Sequence, residues 1–125
     1  MPATVVDASI VAALVFEEPR ASEAEGLIGG RDLHVPSLFG YELANIGRTK
    51  ERRGELSREV VIGALRRAFM LDLHWHDVLP LPVFELASET DLTAYDAAYL
   101  HLAMALDMPI ATFDQEIRAA PSVGQ

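Results

Sequence analysis

The sequence predicts one α/β domain built on a mostly parallel sheet. Short apolar segments alternate with helical segments, and the predicted strands lack the polar/apolar alternation that is typical of a sheet with one solvated face. The chain has 125 residues, half of them hydrophobic and 23% charged, which suits a single globular domain. We therefore expect one sheet that is covered by helices on both faces.

The order of elements follows from the apolar segments and the residues that bound them. The predicted strands are 4–7, 33–35, 74–79 and 109–112. The predicted helices are 10–16, 21–28, 37–53, 58–71, 82–88, 94–106 and 115–118. Candidate N-caps precede four of the helices, at Ser9, Ser57, Thr93 and Asp114. Helix 94–106 is apolar on nearly every side, so we expect it to be buried against the sheet.

Composition excludes several classes of protein. The chain has no cysteine, so it has neither a disulfide framework nor a thiolate nucleophile or metal ligand. The N-terminus carries no basic segment, and acids at Asp7, Glu17 and Glu18 interrupt the first apolar stretch, which argues against a signal peptide. The apolar run 97–106 is far shorter than the roughly 20 residues that span a bilayer. We expect a soluble, cytoplasmic protein.

Charge is distributed unevenly along the chain. The formal net charge of −9 by itself argues against a nucleic-acid partner. Seven of the ten basic residues, however, lie between positions 48 and 67 with only three acids, a net +4 that leaves −13 for the rest. Such a molecule can turn a basic surface to a phosphate backbone while its acids bind metal, although solvated helix faces give the same pattern.

Two aspartates follow predicted strands. Asp7 ends the first strand and Asp114 comes just after the last one, so each lies at the strand edge where ligands bind in open α/β sheets. Each also has a purely structural interpretation. Asp7 could form an Asx-type turn with Ser9, and Asp114 could be the N-cap of the following helix.

Two further acids belong to helices. Glu42 shares a face of its helix with Leu38 and Ile46, and no Lys or Arg lies three or four residues away to pair with it. A buried, unpaired carboxylate is costly, so either Glu42 binds a cation or the helix is rolled so that it is exposed. Asp96 lies in the first turn of helix 94–106, where it could instead complete a capping box with Thr93.

In a parallel sheet these strand ends and helix starts meet at one edge. The four acids that would converge there are Asp7, Glu42, Asp96 and Asp114. Carboxylates at close range repel one another and require a cation, and ligation by oxygen alone favours Mg²⁺ or Mn²⁺ over Zn²⁺. The four histidines do not form a zinc-binding spacing, although His74 and His76 could share one face of a strand.

Four short segments surround these acids. They are Val5-Val6-Asp7-Ala8-Ser9, Tyr41-Glu42-Leu43-Ala44-Asn45, Tyr95-Asp96-Ala97-Ala98-Tyr99-Leu100 and Thr112-Phe113-Asp114. In order and spacing they resemble the acidic motifs of the PIN-domain family, in particular VapC-like toxins of VapBC toxin–antitoxin systems. The resemblance covers nearly the whole chain.

The resemblance implies a single PIN-like domain over residues 1–125, an α/β/α sandwich with a short sheet of four or five strands. It implies a Mg²⁺- or Mn²⁺-dependent endoribonuclease that forms a homodimer and binds a cognate VapB-like antitoxin, which folds a peptide over the active site. On this basis the four acids are catalytic and hold the metal, and Ser9 and Thr112 support the site through hydroxyl hydrogen bonds. Similar proteins continue into one more strand, whereas this chain ends in the segment 121–125.

The corresponding mechanism is in-line hydrolysis of an RNA phosphodiester by a water that the metal activates. Three arginines that follow Glu42 are the predicted phosphate contacts: Arg48, Arg52 and Arg53. One alternative is a phosphatase with Asp7 as nucleophile, but the second aspartate and the lysine that such sites commonly use are missing. Another is a non-catalytic module in which the acids form a structural or regulatory metal site. The RNA target is left open.

Overall fold

The sheet consists of four short strands. In the computed structural model, which describes residues 2–120, they are β1 (Ala3–Val6), β2 (Asp32–Pro36), β3 (Leu73–His76) and β4 (Ile110–Ala111). Neighbouring strands pair in parallel in the spatial order β3-β2-β1-β4. The predicted parallel α/β fold is therefore confirmed, with β1 in the interior of the sheet.

Helices flank this sheet and contribute most of the core. They are α1 (Ala8–Val15), α2 (Ala21–Ile28), α3 (Phe39–Arg52), α4 (Arg58–Phe69), α5 (Pro80–Thr90), α6 (Ala94–Leu106) and α7 (Gln115–Ala119). Helices α1, α3 and α4 pack against one another, whereas α6 packs on β1 and β2 and carries α5 on its other side. A second, smaller hydrophobic cluster lies between α5 and α6 and includes Val83, Leu86 and Leu100. No helix within residues 2–120 has the length and apolar character needed to cross a membrane.

Most predicted element boundaries agree with the structure to within two or three residues. Ser57 and Thr93 cap α4 and α6 as predicted, since their hydroxyl groups accept hydrogen bonds from the backbone N–H groups of Val60 and Asp96. The prediction for α1 was wrong, because the N-cap is Asp7 and Ser9 lies inside the first turn. The predicted terminal segment 121–125 lies outside the described residues.

Candidate metal-binding active site

Asp7 lies where β1 meets α1 and is buried, with 9% of its surface exposed. Its Oδ2 atom accepts hydrogen bonds from the Ser9 hydroxyl at 2.9 Å and the Thr112 hydroxyl at 2.8 Å. Thr112 reaches Asp7 because β1 and β4 are paired, with Val6 opposite Ala111. Both hydroxyl groups that the resemblance assigned to the site therefore contact the same carboxylate oxygen.

Glu42 lies in the first turn of α3 and is partly buried. Leu38 and Ile46, which share its predicted apolar face, are partly buried and pack against the core, whereas the fully buried residues of α3 are Phe39, Leu43 and Gly47. Glu42 therefore lies at the border of the buried face. The fully buried side chain of Tyr99 donates a hydrogen bond from its hydroxyl to Glu42 Oε1 at 2.5 Å.

Sequence reasoning assigned no role to Tyr99, although the residue is within one of the quoted segments. It follows Asp96 by three residues and therefore lies on the same side of α6 as that acid. This spacing was the available signal, but a tyrosine on an apolar helix is also an ordinary core residue. Only the packing of α6 against the sheet reveals that its hydroxyl reaches Glu42.

Asp96 lies in the first turn of α6, and Asp114 is the N-cap of α7. Asp114 Oδ1 accepts hydrogen bonds from the backbone N–H groups of Glu116 at 2.8 Å and Ile117 at 3.2 Å. Its capping interpretation is therefore confirmed. The Thr93 hydroxyl accepts from the N–H of Asp96 at 3.1 Å, which caps α6. Capping by Asp114 uses only one of its oxygens, so it does not exclude a second role.

The four acids affect one another electrostatically. Burial is the largest cause that raises the pKa of Asp96, and repulsion from Asp114 and Asp7 raises it further. Burial also raises the pKa of Glu42, with repulsion from Asp7 and Asp96 adding to the effect and the Tyr99 hydrogen bond opposing it. In the part of the chain that the structure describes, none of the four forms an ion pair.

The chemistry of this set of acids fits a hard divalent cation. The four side chains offer only oxygen atoms as ligands, and none of them has a cationic side chain as partner among the residues that the structure describes. Such a set of acids suits Mg²⁺ or Mn²⁺. As the side chains are placed, no group of three Asp, Glu or His residues within 2–120 converges closely enough to hold one ion. Ligation of a common ion therefore requires side-chain rotation.

The three predicted RNA-binding arginines do not lie beside the acids. Arg48 contacts Glu51 at 3.4 Å. Arg52 ends α3, about 15 Å along the helix axis from Glu42 at a rise of 1.5 Å per residue, and Arg53 is the exposed C-cap. Because ten helical residues separate Arg52 from Glu42, Arg52 and Arg53 can contact only phosphates that lie at a distance from the acids, toward the end of α3.

Three of the histidines form a separate cluster on β2 and β3. His34 Nδ1 lies 2.8 Å from His76 Nε2, and the His34 ring stacks on that of His74 at 4.6 Å. The expectation that His74 and His76 share a strand face agrees with these contacts. Burial lowers the pKa of His34, and repulsion from the other two histidines lowers it further.

Comparison with known proteins identifies the family to which this fold belongs. The structure is a small parallel α/β domain with acids at the end of β1 and at the starts of α3, α6 and α7. The family described as "PIN domain" matches residues 4–122. The chain belongs to the PIN-domain family.

The curated proteins to which the chain is similar include ribonucleases of an archaeon and a bacterium. It is 33% identical to Ribonuclease VapC3 of Pyrobaculum aerophilum, over 90% of this chain and 90% of that protein. It is 30% identical to Ribonuclease VapC1 of Mycobacterium tuberculosis, over 98% of this chain and 94% of that protein.

Solved structures give the same fold. A crystal structure of a Pyrobaculum aerophilum protein, PAE2754, superposes with a TM-score of 0.75 at 26% identity, covering 93% of this chain and 77% of that one. The Mycobacterium tuberculosis toxin VapC20, described as cleaving the sarcin-ricin loop, superposes with a TM-score of 0.70 and covers 97% of each chain. At 18% identity the second likeness concerns the fold alone.

Proposed function

We propose that this protein is a Mg²⁺- or Mn²⁺-dependent endoribonuclease, the toxin of a type II toxin–antitoxin pair. The observation that carries the proposal is the placement of four acids at strand ends and helix starts of one parallel sheet, with no ion pair to any of them among residues 2–120. The ribonuclease names of the two curated relatives support the substrate class. RNA as substrate and a chain without cysteine both fit activity in a reducing cytoplasm, which fractionation of cells would test.

In this proposal Asp7, Glu42, Asp96 and Asp114 hold the cation. When bound, the cation would act as a Lewis acid toward the phosphodiester and lower the pKa of the attacking water. Ser9 and Thr112 fix the orientation of Asp7 through their hydroxyl groups. Arg52 and Arg53 would bind phosphates of neighbouring nucleotides, since α3 separates them from the acids.

The direct test is replacement of Asp7 or Asp96 by Asn. Each change keeps the shape of the side chain but removes a negative ligand, so we expect metal-dependent RNA cleavage to fall by more than about 100-fold, beyond the typical loss from a second-shell partner. Gel-based cleavage of single-stranded RNA with EDTA, Mg²⁺ or Mn²⁺ measures this.

Asp107→Asn is the matched control. Asp107 ends α6 with a φ of 51°, a conformation that Asn tolerates, so this variant should keep full activity. Cleavage retained by both site variants would refute the assignment of the acids. Metal binding without cleavage in the wild type would instead favour a non-catalytic module.

Two exposed apolar surfaces support the proposed partners. The first, which we call the Trp75 surface, comprises Gly40, Tyr41, Phe69, Met70 and Trp75; Tyr41 and Met70 are 82% and 84% exposed. A Cβ atom on Gly40 would lie 3.5 Å from the Trp75 ring and 3.8 Å from the Phe69 ring. Gly40, Phe69 and Trp75 are therefore neighbours at the centre of this surface. Tyr41 adjoins Glu42. An antitoxin bound to this surface would therefore lie beside the first turn of α3, which carries Glu42.

The second surface is on α5. Leu79, Leu81 and Phe84 are each more than 60% exposed at the start of this helix, whereas its other face is buried against α6. Apolar side chains exposed together in this way are typical of a contact with another protein. We assign this α5 surface to the homodimer contact.

A further inference from the structure

Two arginines contact the segment that leads from β4 to α7, and the sequence analysis assigned a role to neither. Arg118 Nε donates a hydrogen bond to the backbone carbonyl of Thr112 at 2.8 Å. The guanidinium of Arg20 lies over the Phe113 ring, with its Cζ atom 3.7 Å from the ring centroid. Thr112 follows β4 directly, so both arginines contact the chain at the carboxyl end of this strand, next to Asp114.

The two arginines differ in whether an acid pairs with them. Arg20 donates to both carboxylate oxygens of Glu23, each at 2.8 Å, so its charge is largely offset. Arg118 is exposed and forms no ion pair with any acid among residues 2–120. The Arg20 hydrogen bond is the largest cause that lowers the pKa of Glu23, and Arg118 contributes least to it, from a longer distance. Arg118 therefore keeps a cationic group that can bind an anion.

Contacts connect Arg118 to two of the acids. The carbonyl of Thr112 accepts from Arg118, and the hydroxyl of the same threonine donates to Asp7 Oδ2 at 2.8 Å. The backbone N–H of Arg118 donates to the carbonyl of Asp114 at 3.1 Å, so these two residues are one helical turn apart. Residues at this spacing lie on the same side of a helix. Arg118 is therefore a neighbour of the site that the acids form.

Arg118 is not, however, a counterion of the acids. The charged groups that shift the pKa of Glu42 and Asp96 are all acids, and burial is the largest cause at both. A cation that lies beside such a site without pairing is suited to an anion that arrives with the substrate. In an RNA strand that anion is a phosphate next to the one on which the acids act.

Other basic residues are less suited to this role. Seven of the ten lie between positions 48 and 67, and Arg52 is about 15 Å along α3 from Glu42 at a rise of 1.5 Å per residue. Arg31 directly precedes β2 and is therefore at the amino end of the parallel sheet. Arg20 is paired. Arg118 is the basic residue that combines an unpaired charge with a contact beside the acids.

We propose that Arg118 is a substrate-binding residue that contacts the RNA phosphate next to the one that is cleaved. This assignment rests on the proposed function. A guanidinium presents five N–H groups in a rigid fork, and the hydrogen bond to Thr112 uses one of them. The two amino groups remain for a bidentate contact with phosphate oxygens. Because Thr112 already orients the fork, less side-chain ordering is needed when RNA binds.

Two substitutions separate the charge of Arg118 from its shape. Arg118→Gln removes the charge but keeps an N–H group that can donate to the Thr112 carbonyl. Arg118→Lys keeps the charge but loses the planar fork. Arg20→Gln is the matched control, since it removes an arginine that contacts the same segment and whose charge Glu23 offsets. Circular dichroism of each variant verifies that the fold is retained, and Arg118→Lys keeps the test decisive should Arg118→Gln fail to fold.

The experiment is fluorescence anisotropy of a labelled, mixed-sequence, single-stranded RNA in EDTA over a range of KCl concentrations. In Arg118→Gln we expect RNA affinity to fall by about tenfold, the lower range for a hydrogen bond to a charged group. The slope of log K against log salt should fall by about 0.7, the value for one phosphate contact on a single strand. Arg118→Lys should keep the wild-type slope but lose part of the affinity, and Arg20→Gln should match the wild type in both.

Cleavage assays with metal add a second measurement. A phosphate contact made equally in the ground state and the transition state affects KM, so Arg118→Gln should raise KM by about tenfold with little change in kcat. If Arg118 only holds the Thr112 carbonyl in place, the same variant lowers kcat and the urea midpoint while RNA affinity and salt slope stay at wild-type values. That result would overturn the assignment, as would Arg118→Lys with wild-type RNA affinity.

The same assays separate this assignment from the proposed function. A wild type that neither binds nor cleaves RNA overturns both. A wild type that cleaves RNA, with wild-type affinity and slope in Arg118→Gln, overturns only the role of Arg118. A wild type that binds RNA without cleaving it overturns the proposed function, and the salt slopes then still decide whether Arg118 binds a phosphate.

Discussion

Burial, a hydrogen bond and repulsion from other acids act together on the side chain of Glu42. It lies on α3 at the border of the core, receives a hydrogen bond from a buried tyrosine and is repelled by two other acids. A hydrogen bond to an ionised carboxylate stabilises its charged form, whereas burial and repulsion destabilise it. Because burial is the largest contribution, ionisation of Glu42 is less favourable in the metal-free folded protein than in the unfolded chain.

Replacement of Glu42 by Gln should therefore stabilise the metal-free protein at neutral pH. A carboxyl group whose pKa is raised on folding favours the folded state below its ordinary value of 4.5, and this contribution is lost as pH rises through the folded pKa. Gln removes the charge but still accepts the Tyr99 hydrogen bond. In EDTA, Glu42→Gln should unfold at higher urea than the wild type at pH 7.5, and the difference should shrink toward pH 4.5.

Saturating Mg²⁺ provides the control for this prediction. The cation neutralises the repulsion in the wild type and adds about 2.7 kcal/mol at 100 times its dissociation constant, whereas the variant lacks one ligand. With Mg²⁺ the difference in stability between Glu42→Gln and the wild type should therefore shrink or change sign. A variant that is less stable than the wild type in EDTA at pH 7.5 would contradict the assigned pKa direction.

At the scale of elements, the bounds of a helix were predicted better than the face that it buries. The bounds of α6 agree with the prediction at both ends because Thr93 caps its start and its apolar run ends at residue 106. The face of α3 that carries Leu38, Glu42 and Ile46 is only partly buried, and an equally regular stripe beside it is fully buried: Phe39, Leu43 and Gly47. Which of two adjacent stripes is buried depends on the neighbouring helices, and local periodicity does not contain that information.

In the candidate site, too, features that depend on topology were predicted and features that depend on side-chain packing were not. The four acids were predicted because strand ends in a parallel sheet meet at one edge, which is a property of topology. The Tyr99 hydroxyl and the shared contact of Ser9 and Thr112 with one oxygen depend on side-chain packing between elements that are distant in sequence. Contact of Arg48, Arg52 and Arg53 with phosphates stays a prediction, and the sequence alone did not indicate how far along α3 such phosphates would lie from the acids.

Gly47 provides a prediction about the contact between α3 and α4. A Cβ atom there would lie 2.8 Å from Val61 Cγ1 and 3.3 Å from the ring of Phe16, so the helices must move apart to admit it. Ala gains up to about 1 kcal/mol in helix propensity over Gly, but overpacking costs roughly 1–3 kcal/mol. We expect Gly47→Ala to lower the free energy of unfolding by about 1 kcal/mol, measured in urea.

Gly63→Ala is the matched control within α4. The nearest atom to its added Cβ would be the end of the flexible Arg67 side chain at 3.7 Å, so propensity should dominate and the protein should gain about 0.5–1 kcal/mol. Stabilisation by both substitutions would mean that the helices are not as close as the structure places them.

At the scale of the whole molecule, the basic segment 48–67 is partly neutralised. Lys50 pairs at 2.8 Å with Glu18, an acid outside the segment, which offsets one of its four net charges. Arg58 pairs with Glu51 at 2.6 Å within the segment, and Arg67 keeps its charge but donates a hydrogen bond to the backbone carbonyl of Val15 at 3.0 Å. Arg52 and Arg53 remain exposed at the end of α3. The basic surface available to RNA is therefore smaller than the net charge of the segment indicates.

An Arg52→Gln/Arg53→Gln variant should bind single-stranded RNA more weakly and with a smaller salt dependence. Two lost phosphate contacts reduce the slope of log K against log salt by about 1.4, at 0.7 per contact for single strands. Fluorescence anisotropy over a range of KCl concentrations, with EDTA to prevent cleavage, measures this slope. Arg20→Gln is the control, because Arg20 pairs with Glu23 on α2; an unchanged slope in the double variant would exclude these phosphate contacts.

The two apolar surfaces lead to a paired prediction about assembly. Phe84 and Met70 are 62% and 84% exposed, so a Glu at either position costs the folded monomer little but is costly wherever a partner covers it. Phe84→Glu on the α5 surface should convert a dimer to a monomer in sedimentation experiments. Met70→Glu on the Trp75 surface should leave the dimer intact and weaken inhibition of RNA cleavage by a VapB-like antitoxin.

Each of these variants is the control for the other, since both add one charge to an exposed apolar position. If each surface has its own partner, Phe84→Glu remains sensitive to the antitoxin while Met70→Glu remains dimeric. The reverse pattern would exchange the two assignments, because the charge would then disrupt the opposite contact. A monomeric wild type would remove the α5 surface from the homodimer and leave its exposed apolar side chains to a different partner.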